Sequence, residues 1–188
     1  LMSYLNIEGE DEETTILDAM QTGRVFSLLQ NDHNNILSNI TITGGSASWG
    51  CGMHLTNSHP TLSNVTIADN NGIGMYLNNS NPIITGMSIT DNNGHGIEAS
   101  SSTATLTDVI ITDNNGIGMY LKWGSHLMLT HVTITNSNGN GMKISNSNPI
   151  LSNVTITGNT AYSGGGMHLD FSHPTLNHVT ISNNTADY

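Results

Sequence analysis

Basic residues are nearly absent from this chain of 188 residues: lysine and arginine together number three (Arg24, Lys122 and Lys143) against 14 acids, for a formal net charge of −11. Such a balance argues against nucleic acid or an anionic membrane surface as partner and leaves cations, neutral glycans or other proteins. Charged residues of either sign are only 9% of the sequence. The surface must then be made polar by Asn, Ser, Thr and Gly, whereas a helical protein would use Glu and Lys. The single cysteine, Cys51, excludes an internal disulfide. No apolar run approaches the roughly 18 residues that a membrane-spanning helix needs. Five acids gather in "EGEDEE", Glu8 to Glu13, which reads as a solvated turn.

What the chain has instead is repetition. "DNNGIGMYL" occurs at Asp69 to Leu77 and again at Asp113 to Leu121, and between them Asp91 to Ala99 reads "DNNGHGIEA". Aligned on the V of V-T-I, the repeat places Ile40, Val65, Met87, Val109, Val132, Val154 and Val179 in one register, at intervals of 22 to 25 residues. A fixed period of this length marks a stacked architecture in which each unit buries its apolar face only against its neighbours. Each unit holds three short apolar pieces, "PTL", "VTI" and "GMHL" in one version, and the last two alternate apolar with polar as half-buried strands do. Pieces so short satisfy their backbone by pairing with the same piece one unit later, which stacks the coils at about 4.8 Å.

The expected fold is therefore all-β, a three-faced parallel β-helix of about seven coils. Its core would be columns of like residues: Ile42, Ile67, Ile89, Ile111, Ile134, Ile156 and Ile181; Leu37, Leu62, Ile84, Leu106, Leu129, Leu151 and Leu176; Met53, Met75, Ile97, Met119, Met142 and Met167. Bends fall at Asn39, Asn64, Gly86, Asp108, His131, Asn153 and His178, where Asn or Gly tolerates left-handed backbone. A second polar column, Asn70, Asn92, Asn114, Asn159 and Asn184, is expected to form an amide ladder. Residues 1–34 fit the repeat poorly and are expected to open or cap the stack, with 35–188 forming the coils. The start at Leu1 and the halt at "SNNTADY" suggest a piece of a longer chain.

The strings "NPILSNVTITGNTAYSGGGMHL" and "HPTLSNVTI" resemble the right-handed parallel β-helix repeats of secreted bacterial surface proteins, within the pectin-lyase-like superfamily. The resemblance covers essentially the whole chain and implies a right-handed winding and an extracellular or cell-surface location. It leaves function open, because the same scaffold carries lyases, hydrolases, adhesins and filaments.

Candidate site residues lie on the outward positions of the G-M-x-L face: His54, Tyr76, Glu98, Tyr120, Lys143 and His168, one per coil. By resemblance, this is also the face on which superfamily enzymes bind polysaccharide. Tyr76 and Tyr120 flank Glu98 and could hold a sugar between ring face and carboxylate, with Trp123 as a further platform. The tyrosines are equally consistent with ordinary exposed strand positions. For catalysis the candidates are Glu98 and His95, the latter within a "GHG" that resembles the G-H-G of polygalacturonases. The paired aspartates that glycoside hydrolysis would need are missing from the preceding coil, however, and a lyase base would have to be Arg24, off the repeat face. Asp69, Asp91 and Asp113 stack in one turn and are the candidate metal ligands; calcium would suit their oxygen donors, although no cofactor is required. On the V-T-I face, ranks led by Thr41 and Thr43 resemble the ice-binding faces of β-helical antifreeze proteins.

The resulting expectation is a non-catalytic, secreted structural or adhesive module that contacts extracellular glycan or other copies of itself, as in a filament. The alternatives are a polysaccharide lyase or hydrolase, and ice binding.

Overall fold

The computed structural model describes residues 6–31 and 35–188. Over these residues the chain is a parallel β-solenoid of about seven turns, without a helix. Every strand pairing is parallel, and each joins a segment to its counterpart one coil away. Val65 opposes Ile40, Leu106 opposes Leu129, and Met75 lies between Met53 and Ile97, as the repeat alignment requires.

The three expected faces resolve into two sheets plus one small pairing. Strands from the Leu column and the V-T-I column belong to a single 12-stranded sheet, because Ile36–Thr43, Thr61–Ala68, Thr105–Thr112 and Met128–Thr135 run through the bend unbroken. The bend is made by one residue per coil in the left-handed region: Asn39, Asn64, Gly86, Asp108, His131, Asn153 and His178 all have φ between 50° and 63°. The G-M-x-L strands form the separate 7-stranded sheet.

Side chains pointing inward along the Ile, Leu, Val and Met columns are fully or almost fully excluded from solvent through Ile156. The last members, Leu176 and Ile181, are exposed, having a neighbouring coil on one side only. At the other end the opening segment contributes a coil of its own. Asn6–Glu8, Ile16–Asp18 and Phe26–Asn31 form three strands that pair with the next coil, setting Ile7 beside Leu37, Leu17 beside Ile42 and Phe26 beside Met53. These residues carry the core columns one coil further, with longer connections that hide the period. Residues 1–5 and 32–34 of the opening segment lie outside the described residues.

Two buried polar ladders run beside the apolar columns. Asn70 Nδ2 donates to Asn92 Oδ1 at 2.9 Å and Asn92 Nδ2 to Asn114 Oδ1 at 3.0 Å; Asn159 repeats the contact with Asn184 at 2.9 Å. Ser137 interrupts the series, and its buried hydroxyl has no partner. On another corner, serine hydroxyls accept from the serine backbone N–H one coil before: Ser58 to Ser80, Ser80 to Ser102, Ser102 to Ser125, Ser125 to Ser147 and Ser147 to Ser172. Buried corners thus satisfy polar groups that would otherwise cost about 1–3 kcal/mol each. Gly96 shows how tight the stacking is, since a Cβ there would lie 2.6 Å from Ile111 Cγ2 and 2.7 Å from the Gly118 carbonyl oxygen.

Candidate functional site

The G-M-x-L strands Met53–Ser58, Met75–Asn78, Ile97–Ser100, Met119–Lys122, Met142–Ser145 and Met167–Asp170 stack in register. Alternation puts Met or Ile and the following Leu, Ala or Ile inward. His54, Tyr76, Glu98, Tyr120, Lys143 and His168 consequently form one outward column, each beside the next.

Glu98 departs from the expectation of an exposed acceptor. Its side chain is only 3% exposed, and its Oε1 lies 2.6 Å from the Nζ of Lys122. Lys122 occupies the next outward position after Tyr120, opposite Ser100 in register, so its long side chain reaches back across one coil. The ammonium then sits among aromatic rings: 4.4 Å from the Trp123 centroid, 5.4 Å from Tyr120 and 5.6 Å from Trp49. Cation–π attraction and the carboxylate together stabilise a charge that burial alone would penalise. Glu98 is therefore an anchor for Lys122 beneath an aromatic cover, not a free hydrogen-bond acceptor.

Around this pair the remaining rings interlock. Trp49 packs on Tyr76 with centroids 5.5 Å apart, and His54 meets Tyr76 edge-on at 5.1 Å. His95 meets Tyr120 edge-on at 6.1 Å, and Lys143 Nζ lies 5.3 Å from the Tyr120 ring. Trp49 belongs to the three-residue insertion "SASWGCGM", whose path is held by Arg24: Nε and Nη2 donate to the Trp49 carbonyl oxygen, and Nε also to that of Gly50. Cys51, in the same insertion, is buried with its thiol directed at the Ala47 carbonyl oxygen, 2.9 Å away.

Burial sets the electrostatics. It raises the Tyr76 hydroxyl above the usual phenol range, an effect that Lys122 opposes and Glu98 reinforces. His95 is lowered below the ordinary imidazole value, mainly by burial and against the pull of Glu98. Its Nδ1 accepts the Ile117 backbone N–H at 2.9 Å, which fixes the neutral ring with the proton on Nε2. His54 is lowered by burial first and by Arg24 second.

Among the expected site residues, the structure brings His54, Tyr76, Glu98, Tyr120, Trp123 and Lys143 to one patch; His168 extends the column beyond Lys143. Sequence reasoning missed Lys122 and Trp49. The available signals were that Lys122 is one of three basic residues in the chain and stands two positions after Tyr120, hence on the same side of the strand. Trp123 occupies a left-handed corner, φ 54°, where other coils place Asn57, Asn79, Ser101, Asn146 and Phe171.

The other candidates lie elsewhere. Asp69, Asp91 and Asp113 form an exposed left-handed corner, where Asp91 and Asp113 each accept the hydroxyl of the preceding threonine, at 2.7 and 2.6 Å. No group of three His, Cys, Asp or Glu among the described residues is arranged to hold a metal ion. On the V-T-I face, Thr90 and Thr112 direct their hydroxyls sideways to those aspartates, and Ile110, 50% exposed, interrupts the neighbouring rank.

The sequence model of a right-handed beta helix region matches residues 20–99 and 52–188. No curated protein matches. Among solved structures, two trypsin-treated variants of QnrB1, a plasmid-mediated fluoroquinolone resistance protein, align over 96% of this chain and 92% of theirs at 11% identity, with TM-scores of 0.29 and 0.27. The match over most of the repeat and the parallel coils themselves lead to one statement of kinship: the chain belongs to the right-handed β-helix family.

Proposed function

We propose that this chain is a non-catalytic structural or adhesive β-helix module, extracellular or on a cell surface, whose G-M-x-L face contacts glycan. The observation that carries the reading is the buried Glu98–Lys122 pair under Trp49, Tyr120 and Trp123. Half-exposed indole and phenol rings fixed on a rigid sheet provide large contact area at little entropic cost. They suit the flat apolar face of a sugar ring.

Catalysis finds little support in the same geometry. Glycoside hydrolysis uses two carboxyl groups about 5–10 Å apart. The carboxylates on these strands are Glu98, which is tied to Lys122, and Asp170, which lies three coils further along the stack. At about 4.8 Å per coil that separation is roughly 14 Å. Neither acts on one bond together with the other.

The test combines binding with turnover. A glycan array should return signal that Tyr120→Ala and Trp123→Ala diminish, while reducing-sugar and unsaturated-product assays over acidic and neutral polysaccharides stay at background. Turnover abolished by Glu98→Ala would replace this reading with an enzyme.

A further inference from the structure

The charge arrangement on the G-M-x-L face narrows the ligand class, an inference that rests on the glycan reading above. All three basic residues of the chain border this patch, which at first suggests a site for acidic sugars. Two of them are already engaged with protein oxygens. Lys122 is neutralised by Glu98 at 2.6 Å, with side chains 11% and 3% exposed. Arg24 directs the Nε and Nη2 edge, the one that grips a carboxylate bidentately, to the carbonyl oxygens of Trp49 and Gly50. Lys143 is the one ammonium on these strands with neither a carboxylate nor a carbonyl partner, and it lies against the Tyr120 ring.

A polyanionic glycan would thus be drawn by one uncompensated ammonium on these strands toward a chain whose net charge is −11. Such a ligand would lose hydration at its carboxylates or sulfates without gaining a matched counter-charge, and a charge desolvated without a partner is costly. An uncharged sugar meets no such penalty. Trp49 and Trp123, 49% and 64% exposed, lie 5.6 and 4.4 Å from the Lys122 ammonium. Sugar hydroxyls both donate and accept, so they can take whatever donor capacity the ammonium retains beyond Glu98.

We propose that the aromatic patch of Trp49 and Trp123, gathered around the charge-compensated Glu98–Lys122 pair, binds uncharged glycan chains and discriminates against uronate-bearing or sulfated ones.

Tryptophan fluorescence titration of the whole chain with neutral gluco- and manno-oligosaccharides, oligogalacturonate and a sulfated oligosaccharide tests the assignment. Neutral probes should perturb the indole emission with little dependence on salt. Trp49→Phe and Trp123→Ala should each weaken that binding about tenfold, the loss typical of an aromatic anchor. Glu98→Gln, which leaves Lys122 uncompensated, should shift preference toward oligogalacturonate, while Lys122→Met with Glu98→Gln should not. Binding confined to the charged probes and falling steeply with salt would overturn the neutral-ligand assignment and leave glycan contact standing. Absence of response to any probe, with circular dichroism unchanged, would remove both.

Discussion

Lys122 and Glu98 lie one coil apart in the stack, yet their charged atoms meet at 2.6 Å beneath a cover of aromatic rings. Within the site this contact decides which groups are free to act. A carboxylate bound in this way has one oxygen committed to Lys122, and the ammonium is oriented among the aromatic rings. The two buried charges of the patch, Glu98 and Lys122, thus compensate one another.

Breaking that compensation should be felt in stability. Lys122→Met leaves Glu98 buried without a partner and should cost about 3 kcal/mol, a typical value for removing one member of a buried pair. The double variant with Glu98→Gln should recover most of the loss. Urea unfolding of wild type, both single variants and the double variant provides the cycle, and simple additivity would show that the two groups do not interact.

Ser137 breaks the inner asparagine ladder, and its hydroxyl is the only ladder group buried without a partner. The adjacent glycine has the same room there as elsewhere: a Cβ at Gly118 would be 3.0 Å from Ser137 Oγ, against 3.1 Å from Asn114 Nδ2 at Gly96. Ser137→Asn should therefore join the two ladder segments and stabilise the chain by about 1 kcal/mol. Asn92→Ala should do the reverse and cost about 3 kcal/mol, since Asn92 donates to Asn114, Ile67 and Thr90 and accepts from Asn70. Thermal unfolding monitored by far-ultraviolet circular dichroism ranks the two variants against wild type.

Acid should weaken the fold through its partly buried imidazoles. His95 and His54 are both held below the ordinary value of 6.5 in the folded state. The unfolded chain then binds more protons between the depressed native values and 6.5, so stability is complete above pH 6.5 and falls as pH drops through that interval. His95→Asn, the residue that Asn140 supplies at the matching corner, should flatten the melting temperature across this range. A profile indifferent to the substitution would mean that His95 protonates without opposing the fold.

Trp123 should separate stability from binding. Asparagine adopts the left-handed corner readily, as at Asn57, Asn79 and Asn146, whereas tryptophan there stores about 1 kcal/mol of strain. Trp123→Asn relieves that strain and loses a cation–π contact of similar size, so the unfolding midpoint should move by less than about 1 kcal/mol. Glycan binding should nevertheless weaken about tenfold, a combination that a purely structural tryptophan would not produce.

Much of the architecture was legible in the repeat itself. The register of Ile40, Val65 and Met87, the three apolar columns, the left-handed bends and the Asn70–Asn92–Asn114 ladder follow from one period, because each coil is bonded only to its neighbours. The opening coil was less legible, since Ile7, Leu17 and Phe26 join the columns through connections of irregular length. The serine ladder from Ser58 to Ser172 shares the period but is built from a residue too common here to stand out. Outward positions on the G-M-x-L face were also readable, because alternation along a strand assigns them without further information.

Periodicity alone thus determined which backbone segments stack and which side chains face the core, since both follow from hydrogen bonds between like pieces of adjacent coils. Tertiary structure decided what the outward side chains do to one another. Lys122 reaches over a neighbouring coil to Glu98, and the insertion carrying Trp49 is folded back by Arg24 over Tyr76. Both depend on side-chain reach and on the path of a non-repeating loop, and neither quantity is carried by the repeat.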